Sequence, residues 1–159
     1  MGIQTLTIHT LSTGGSAFIA EGLHHVKALP GLSVVQSLRG RYEVALDGGP
    51  SFFTSEGGCF IAPSRVTQDI VHHLPAEGTM AARWVFLDVE VNGLCRLDDI
   101  YEFPVILPAG REREVSALLD ELTAAQEAGN GDAQAVCGRM AAGYRLLGVL
   151  LAVGREKAA

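Results

Sequence analysis

Three cysteines in 159 residues, Cys59, Cys95 and Cys137, are too few and too scattered for a disulfide framework. They are odd in number, lie far apart and form no C-x-x-C pair, which fits reduced thiols in a cytoplasmic protein. Free cysteine packs as a small apolar group, so all three are expected to be buried or half-buried. Charge is sparse as well, at 19% of residues with a net −6. Up to Leu107 there are 6 Lys+Arg against 11 Asp+Glu, and from Pro108 onward 6 against 7. Affinity for a phosphate backbone rests on clustered basic residues, so neither part is expected to hold nucleic acid by itself. The longest apolar run, "LLGVLLAV" (Leu146 to Val153), is interrupted by Gly148 and is far short of a membrane span. The opening "MGIQTLTIHT" lacks the basic flank and long apolar stretch of a secretory signal. Leu6 stands where a myristoylation motif places Ser or Thr. No membrane partner is expected.

Motifs for chemistry are missing too. There is no G-x-S-x-G elbow, no Gly-rich phosphate loop and no cysteine in a recognisable catalytic setting. His24-His25 and His72-His73 are adjacent pairs, and neighbours on a strand point to opposite faces. At most one of each pair can enter a common cavity, and the expectation is one solvent-facing histidine and one ordinary hydrogen bond. Glu43 and Asp88 have the chemistry of general bases, but a strand carboxylate is more often a solvated face. No catalytic residue, metal or cofactor is expected, and the protein is not expected to be an enzyme.

What is present falls into two textures. Residues 1–107 carry five of the six prolines, most aromatics and repeated short runs with strand character. These runs are "LSVVQSL", "RYEVAL", "SFFTS", "CFIA", "QDIVHHL" and "RWVFLDVEV", separated by "DGGP", "SEGG", "PSR" and "PAEG". Short strands roughly 8–12 residues apart indicate an antiparallel sandwich or barrel. "DGG" after "RYEVAL" is the strongest hairpin signal. Residues 108–159 turn helical. Val115, Leu118, Leu119 and Leu122 recur at helical spacing, Gly129-Asn130-Gly131 stops that helix, and Asp132 is a good N-cap for the next. The second helix is apolar over Val136, Met140, Tyr144, Leu147 and Leu151, widened by Leu146, Val149 and Leu150. Ala141, Ala142, Gly143 and Gly148 would let another backbone approach closely. So apolar a helix needs cover from the β part and from a second subunit.

A barrel of this size can enclose one small ligand. Trp84, Phe86 and Asp88 share one face of their strand, with Val85, Leu87 and Val89 on the other. Trp84 is then either core or a platform for a ligand. Arg39 needs a partner in its apolar strand: a bound carboxylate or hydroxylated ligand, Asp69, Asp88, or simply solvent.

The block "SLRGRYEVALDGGPSFFTSEGGCFIAPSRVTQDIVHH", continued by "ARWVFLDVEV", resembles the N-terminal sensor domain of AraC-type transcription regulators over about Leu32 to Val91. "FPVILP" followed by "EREVSALLDEL" is similar to the juncture that follows in that family. The resemblance implies a mainly β fold with C-terminal α: a cupin-like double-stranded β-helix (jelly-roll barrel) over residues 1–107, then an antiparallel two-helix dimerisation hairpin over 108–159. It implies a small-molecule effector, a sugar or other small polar metabolite, and a homodimer held through Leu118, Leu122, Met140, Tyr144, Leu147 and Leu151. In the arabinose-sensing member an arginine before a glycine and a late tryptophan contact the sugar; they fall on Arg39 and Trp84, and the turn after Pro63 brings in Gln68 and Asp69. Tyr42 completes the candidate ligand-binding set. A pocket histidine of that member is Ala82 here, which leaves the ligand open.

Metal-binding cupins carry an H-x-H motif, absent here, and a second motif of the form G, five residues, P, x, G, two residues, H. This chain supplies Gly57, Pro63 and Ser64, then Arg65 for the glycine and Gln68 for the histidine. AraC-type regulators normally continue into helix-turn-helix units. This chain stops at "VGREKAA", so DNA contact is expected only through a DNA-binding domain absent from it. The alternative is a free-standing cupin, a small-molecule binding protein or isomerase-type enzyme.

Overall fold

Alternation along the strands decides the architecture. The computed structural model describes residues 2–128 and 131–158. Its elements are β1 (Leu6–Phe18), β2 (His24–Lys27), β3 (Leu32–Arg39), β4 (Arg41–Leu46), β5 (Phe52–Phe53), β6 (Cys59–Ala62), β7 (Gln68–His73), β8 (Met80–Val91) and β9 (Cys95–Arg96). They continue with α1 (Leu97–Ile100), β10 (Tyr101–Glu102), α2 (Glu112–Glu127), α3 (Ala133–Val153) and β11 (Arg155–Glu156). One antiparallel sheet has the order β1-β8-β3-β6, with β9 also on β8; a second has the order β2-β7-β4-β5. The fold is mainly β with C-terminal helices, as the sequence leads one to expect. The two ladders stay separate and do not join into one closed barrel.

On β8 one face holds Val85, Leu87, Val89 and Val91, all nearly inaccessible, and the other holds half-buried Trp84, Phe86 and Asp88. The first set belongs to a core shared with the helices, together with Val34, Cys59 and Ile61 of the same sheet. The second faces the other sheet, and between the sheets Val35 and Phe60 of the first with Tyr42, Val44 and Ile70 of the second form a smaller core. One strand thus serves two cores, as the period of two allows.

The sequence reading assigns no strand before Leu32, yet β1 is the longest in the molecule. Its Ser and Gly content lowers local strand preference. Pairing from Leu6↔Val91 to Phe18↔Met80 holds it in place, with a bulge between Ile8 and Thr10. That bulge turns both Ile8 and Leu11 to the helix side, where both are buried.

Helices α2 and α3 cover the outer face of the first sheet. Val115, Leu118, Leu119 and Leu122 of α2 are buried there, as are Ala142, Gly143, Leu146, Leu147, Val149 and Leu150 of α3. Each leucine so buried contributes about 1.5–3 kcal/mol. A Cβ at Gly143 would lie 2.5 Å from Leu11 Cδ1, so the glycine lets α3 press onto β1. Asp132 caps α3 by accepting from the Gln134 N–H at 2.9 Å. Gly129 and Asn130, expected to stop α2, lie outside the described residues; Gly131 is a turn residue before the cap. By length and composition α3 is apolar enough to cross a membrane, more so than its longest uninterrupted run indicates. In the fold, its leucines at 146, 147 and 150 are spent on the sheet.

The buried face of α3 is displaced from the expected one. Leu118, Leu122 and Leu147, expected at a subunit boundary, lie inside the chain at 5%, 0% and 1% exposure. Met140 and Leu151 are half-buried against the same core, and Tyr144 is 41% exposed. The cause is the close seat of Gly143 on β1, which rotates Leu146 and Leu150 to the centre of the contact. Cys137 lies on the exposed face, against expectation, while Cys59 is buried and Cys95 half-buried. Burial pushes the Cys59 thiol up to about 12, with Glu112 adding to the shift.

Both edges of the first sheet are covered. Gln126 of α2 accepts from the Thr13 N–H at 2.9 Å and donates to the Thr13 carbonyl at 3.0 Å, so its amide imitates a neighbouring strand. The Tyr144 hydroxyl accepts from the Ile8 N–H at 3.1 Å. At the β6 edge, the Ile61 N–H donates to the Val105 carbonyl and the Leu107 N–H to the Cys59 carbonyl. Unpaired edges invite other chains, and these contacts remove part of the invitation.

Candidate functional site

A cavity of about 240 Å³ opens between the sheets where β1 and β2 face each other. Ser16, His25 and Lys27 stand at its mouth, exposed; Phe18, Trp84 and Phe86 are half-buried walls; Val35, Tyr42, Phe60, Ile70 and His72 form the buried floor. Register explains the set. His25 pairs with Ile70 and Lys27 with Gln68 across β2 and β7, and Tyr42 pairs with His72 across β4 and β7. Directly opposed residues share a face, so all six side chains turn inward. A Cβ on Gly14 would come within 2.5 Å of the Trp84 indole nitrogen. The indole therefore lies over Gly14, its cross-strand partner.

His72 is the hub. Its ring centroid is 4.3 Å from that of Phe18 and 4.9 Å from those of His25 and Tyr42. Nδ1 is 2.9 Å from the Leu23 carbonyl, which can only accept, so Nδ1 carries the proton. Nε2 is left for the cavity. Burial lowers the pKa of His72 below the ordinary histidine value, outweighing the Leu23 bond, so the ring is neutral at pH 7 and Nε2 accepts. Burial raises the Tyr42 phenol well above its usual range, which keeps it a hydroxyl. Partial desolvation lowers the pKa of Lys27.

Gln68 is 0% exposed, and neither its Oε1 nor its Nε2 has a hydrogen-bond partner. Ser33 is equally buried and its Oγ is equally unpaired. Gln68 lies directly across from Lys27, and Ser33 across from Phe86, so both share a face with cavity-lining residues. Each unpaired buried polar group costs about 1–3 kcal/mol. These three atoms are buried in the inter-sheet space beside the lining, not on it, and such groups are commonly satisfied by bound water.

Of the five expected ligand contacts, Trp84 and Tyr42 line the cavity and Gln68 faces the inter-sheet space. Arg39 and Asp69 do not. Arg39 is exposed and donates to the Glu77 carbonyl at 2.8 Å, pinning the turn before β8. Asp69 points outward to an ion pair with His24. Asp88 pairs with Arg96 at 3.1 Å, and Glu43 with His73 at 2.9 Å, both away from the cavity lining. From the sequence, each histidine pair is expected to give one solvent-facing ring and one ordinary hydrogen bond, and nothing singles out Lys27. The alternation in "HHVK" carries the signal, but only once β2 is known to be a strand.

The turn that leads to Gln68 keeps its backbone form. Arg65, in the motif's glycine position, has φ 64, a left-handed conformation that glycine adopts more readily. A zinc or iron site needs three or four converging N, O or S donors. The cavity offers the His25 and His72 imidazoles beside an ammonium, and no three His, Cys, Asp or Glu come together among the described residues. The lining does not fit such an ion.

Outside the cavity, His73 sits between Glu43 and Glu21, at 2.9 and 3.1 Å. The hydrogen bond to Glu43 and then that to Glu21 raise its pKa. Glu21 also accepts the Leu74 N–H at 2.7 Å, which, with His73, lowers its own pKa. The two histidines should therefore respond oppositely to pH. His73, with its pKa raised, stabilises fully below the ordinary value of about 6.5, and that contribution fades as pH rises through its folded value. His72, with its pKa lowered, favours folding above about 6.5, an advantage lost as pH falls towards its folded value. Urea midpoints from pH 5 to 8 should show His73→Gln losing stability mainly on the acid side. His72→Gln should flatten the acid decline. Parallel curves for both variants would contradict these assignments.

No family model matches the chain, and neither does any curated protein. Fourteen chains of solved structures match. An RmlC-like cupin from Shewanella frigidimarina is 20% identical with a TM-score of 0.42, covering 52% of this chain and 73% of its own. The cupin domain of Cnp3 from Schizosaccharomyces pombe is 17% identical with a TM-score of 0.43, covering 55% and 63%. Salicylate 1,2-dioxygenase from Pseudoaminobacter salicylatoxidans is 13% identical with a TM-score of 0.39, covering 55% of this chain and 28% of its own.

Proposed function

We propose that this chain is a small-molecule-binding module whose ligand enters between the sheets and is held without being transformed. The observation that carries the reading is the cavity itself, walled by Phe18, Trp84 and Phe86, with the polar groups of His25, Lys27, Tyr42 and His72 on its lining. The strand orders 1-8-3-6 and 2-7-4-5 support reading the sandwich as a jelly roll of the cupin kind.

The finer reading is the effector-binding and dimerisation part of an AraC-type regulator in the cytoplasm. Strand β8 supports it. Trp84 and Phe86 touch the cavity while Val85, Leu87 and Val89 touch the helices, so a ligand that shifts the strand bears directly on α2 and α3. A ligand moves such an equilibrium only by its difference in affinity for two states. The face of α3 left for a second copy carries Cys137, Ala141, Tyr144 and Gly148, all exposed.

Trp84 is the only tryptophan, so its emission reports on the cavity alone. Titrating metabolite pools should change that emission saturably. Ligand should also shift sedimentation if it alters the helix pair. A ligand that raises the melting temperature yet leaves Trp84 emission unchanged would put binding elsewhere. The second reading, a free-standing cupin of isomerase type, rests on His25 and His72 meeting in the cavity. Stoichiometric zinc, iron or manganese in the purified protein would favour it.

A further inference from the structure

The chemistry of the lining narrows the guest. Lys27 is the one charged side chain among the lining residues, and no Asp, Glu or Asn joins it. No ion pair or hydrogen bond occupies Lys27 among the described residues. A polyhydroxylated ligand brings many O–H donors, each needing an acceptor, and the lining provides few. An amine would meet an ammonium with no carboxylate to offset it. A phosphate dianion would find a single cation. A single negative charge suits the mouth.

Below the mouth the surroundings are aromatic: Phe18, Trp84 and Phe86 as walls, Tyr42 and Phe60 beneath. An apolar cavity of about 150 Å³ accepts benzene, so this one has room for a six-membered ring with a small polar substituent. The Tyr42 hydroxyl can donate, and His72 Nε2 can accept from a ring hydroxyl.

We propose that the cavity takes a small monocarboxylate built on a planar ring, with the carboxylate at Lys27 and the ring among the aromatic walls. The inference rests on the ligand-binding reading above and adds the charge and shape of the guest. A carboxylate at Lys27 replaces water lost there with a charge-assisted hydrogen bond. The planar ring gives Trp84 and Phe86 a face to stack on.

The test uses the whole chain with four probes: benzoate, cyclohexanecarboxylate, benzyl alcohol and arabinose. Trp84 emission and calorimetry are the readouts. Benzoate should bind about tenfold or more tighter than benzyl alcohol, as one charge-assisted contact allows. Cyclohexanecarboxylate should fall between them. Lys27→Met should abolish the preference for benzoate while leaving benzyl alcohol binding within about twofold, and Lys27→Arg should restore most of it. Benzyl alcohol or arabinose binding as tightly as benzoate would overturn the charge assignment and leave the ligand-binding reading standing. So would a Lys27→Met protein that holds benzoate normally. Silence from all four probes would overturn the monocarboxylate inference, with the metabolite titration then deciding the wider reading.

Discussion

Replacing Leu147 by glutamate is expected to unfold the chain. Leu147 is 1% exposed and lies in one cluster with Leu118, Leu122, Val85 and Leu87. Truncating a leucine so placed costs about 2–5 kcal/mol. A carboxylate there must also give up its water without a partner, which costs several more. A domain is stable by about 5–15 kcal/mol, so most or all of the margin goes. Circular dichroism should show no cooperative melt, and gel filtration should show aggregate. A folded protein with a normal melting temperature would mean that the helix packing described above is wrong. Gly148→Glu supplies the contrast. Gly148 has open space around it on the exposed side of α3, so the variant should fold normally. If α3 also seats a second copy, this substitution, unlike Leu147→Glu, yields a folded monomer.

Arg83→Leu is the second large effect. Arg83 projects from β8 on the helix side. It donates to Gln36 Oε1 at 2.8 Å, to the Ser116 carbonyl at 2.9 Å and to the Ser116 hydroxyl at 3.0 Å, and it also pairs with Asp120. Asp120 is largely exposed, so that pair contributes under about 1 kcal/mol. Gln36 is 2% exposed, and losing Arg83 leaves its Oε1 buried and unpaired. The loss is expected to be about 2–4 kcal/mol, mostly from Gln36 and Ser116. For a chain of this size the melting temperature should fall by about 5–12 °C. Gln36→Leu combined with Arg83→Leu should recover part of the loss, because removing both partners costs less than stranding one. Additive losses would mean that Arg83 acts through Ser116 alone.

How far the molecule could be read from its sequence depends on where each element finds its stability. β3, β4, β6, β7 and β8 carry their own pattern: apolar and β-branched residues in alternation between glycine and proline turns. α2 is equally plain in its spacing; α3 is legible as a helix, but its apolar residues spread too widely to mark which face is buried. β1 and β2 have no such local pattern; β1 exists because β8 offers it a full-length partner. The mouth of the cavity is built from these two strands, so His25 and Lys27 were hidden with them.

Gln68 and Asp69 show a different limit. Adjacent strand residues face opposite ways, so both cannot look into one cavity, and burial selects Gln68. The Arg39-Gly40 pair is explained mostly by its second member. Gly40 has φ 81, and a Cβ there would lie 2.6 Å from the His73 carbonyl oxygen. The arginine beside it serves the Glu77 turn.

The pairing of Leu6 with Val91 has a consequence for biosynthesis. β1 leaves the ribosome well before its partner β8 and must wait for it, and longer still for the Gln126 amide that shields its margin. A uniformly apolar segment in that position would be exposed to neighbouring nascent chains throughout the delay. The threonines, serines and paired glycines of β1 make it a poor glue while it waits, and the partner supplied by translation later makes up for what its own residues lack.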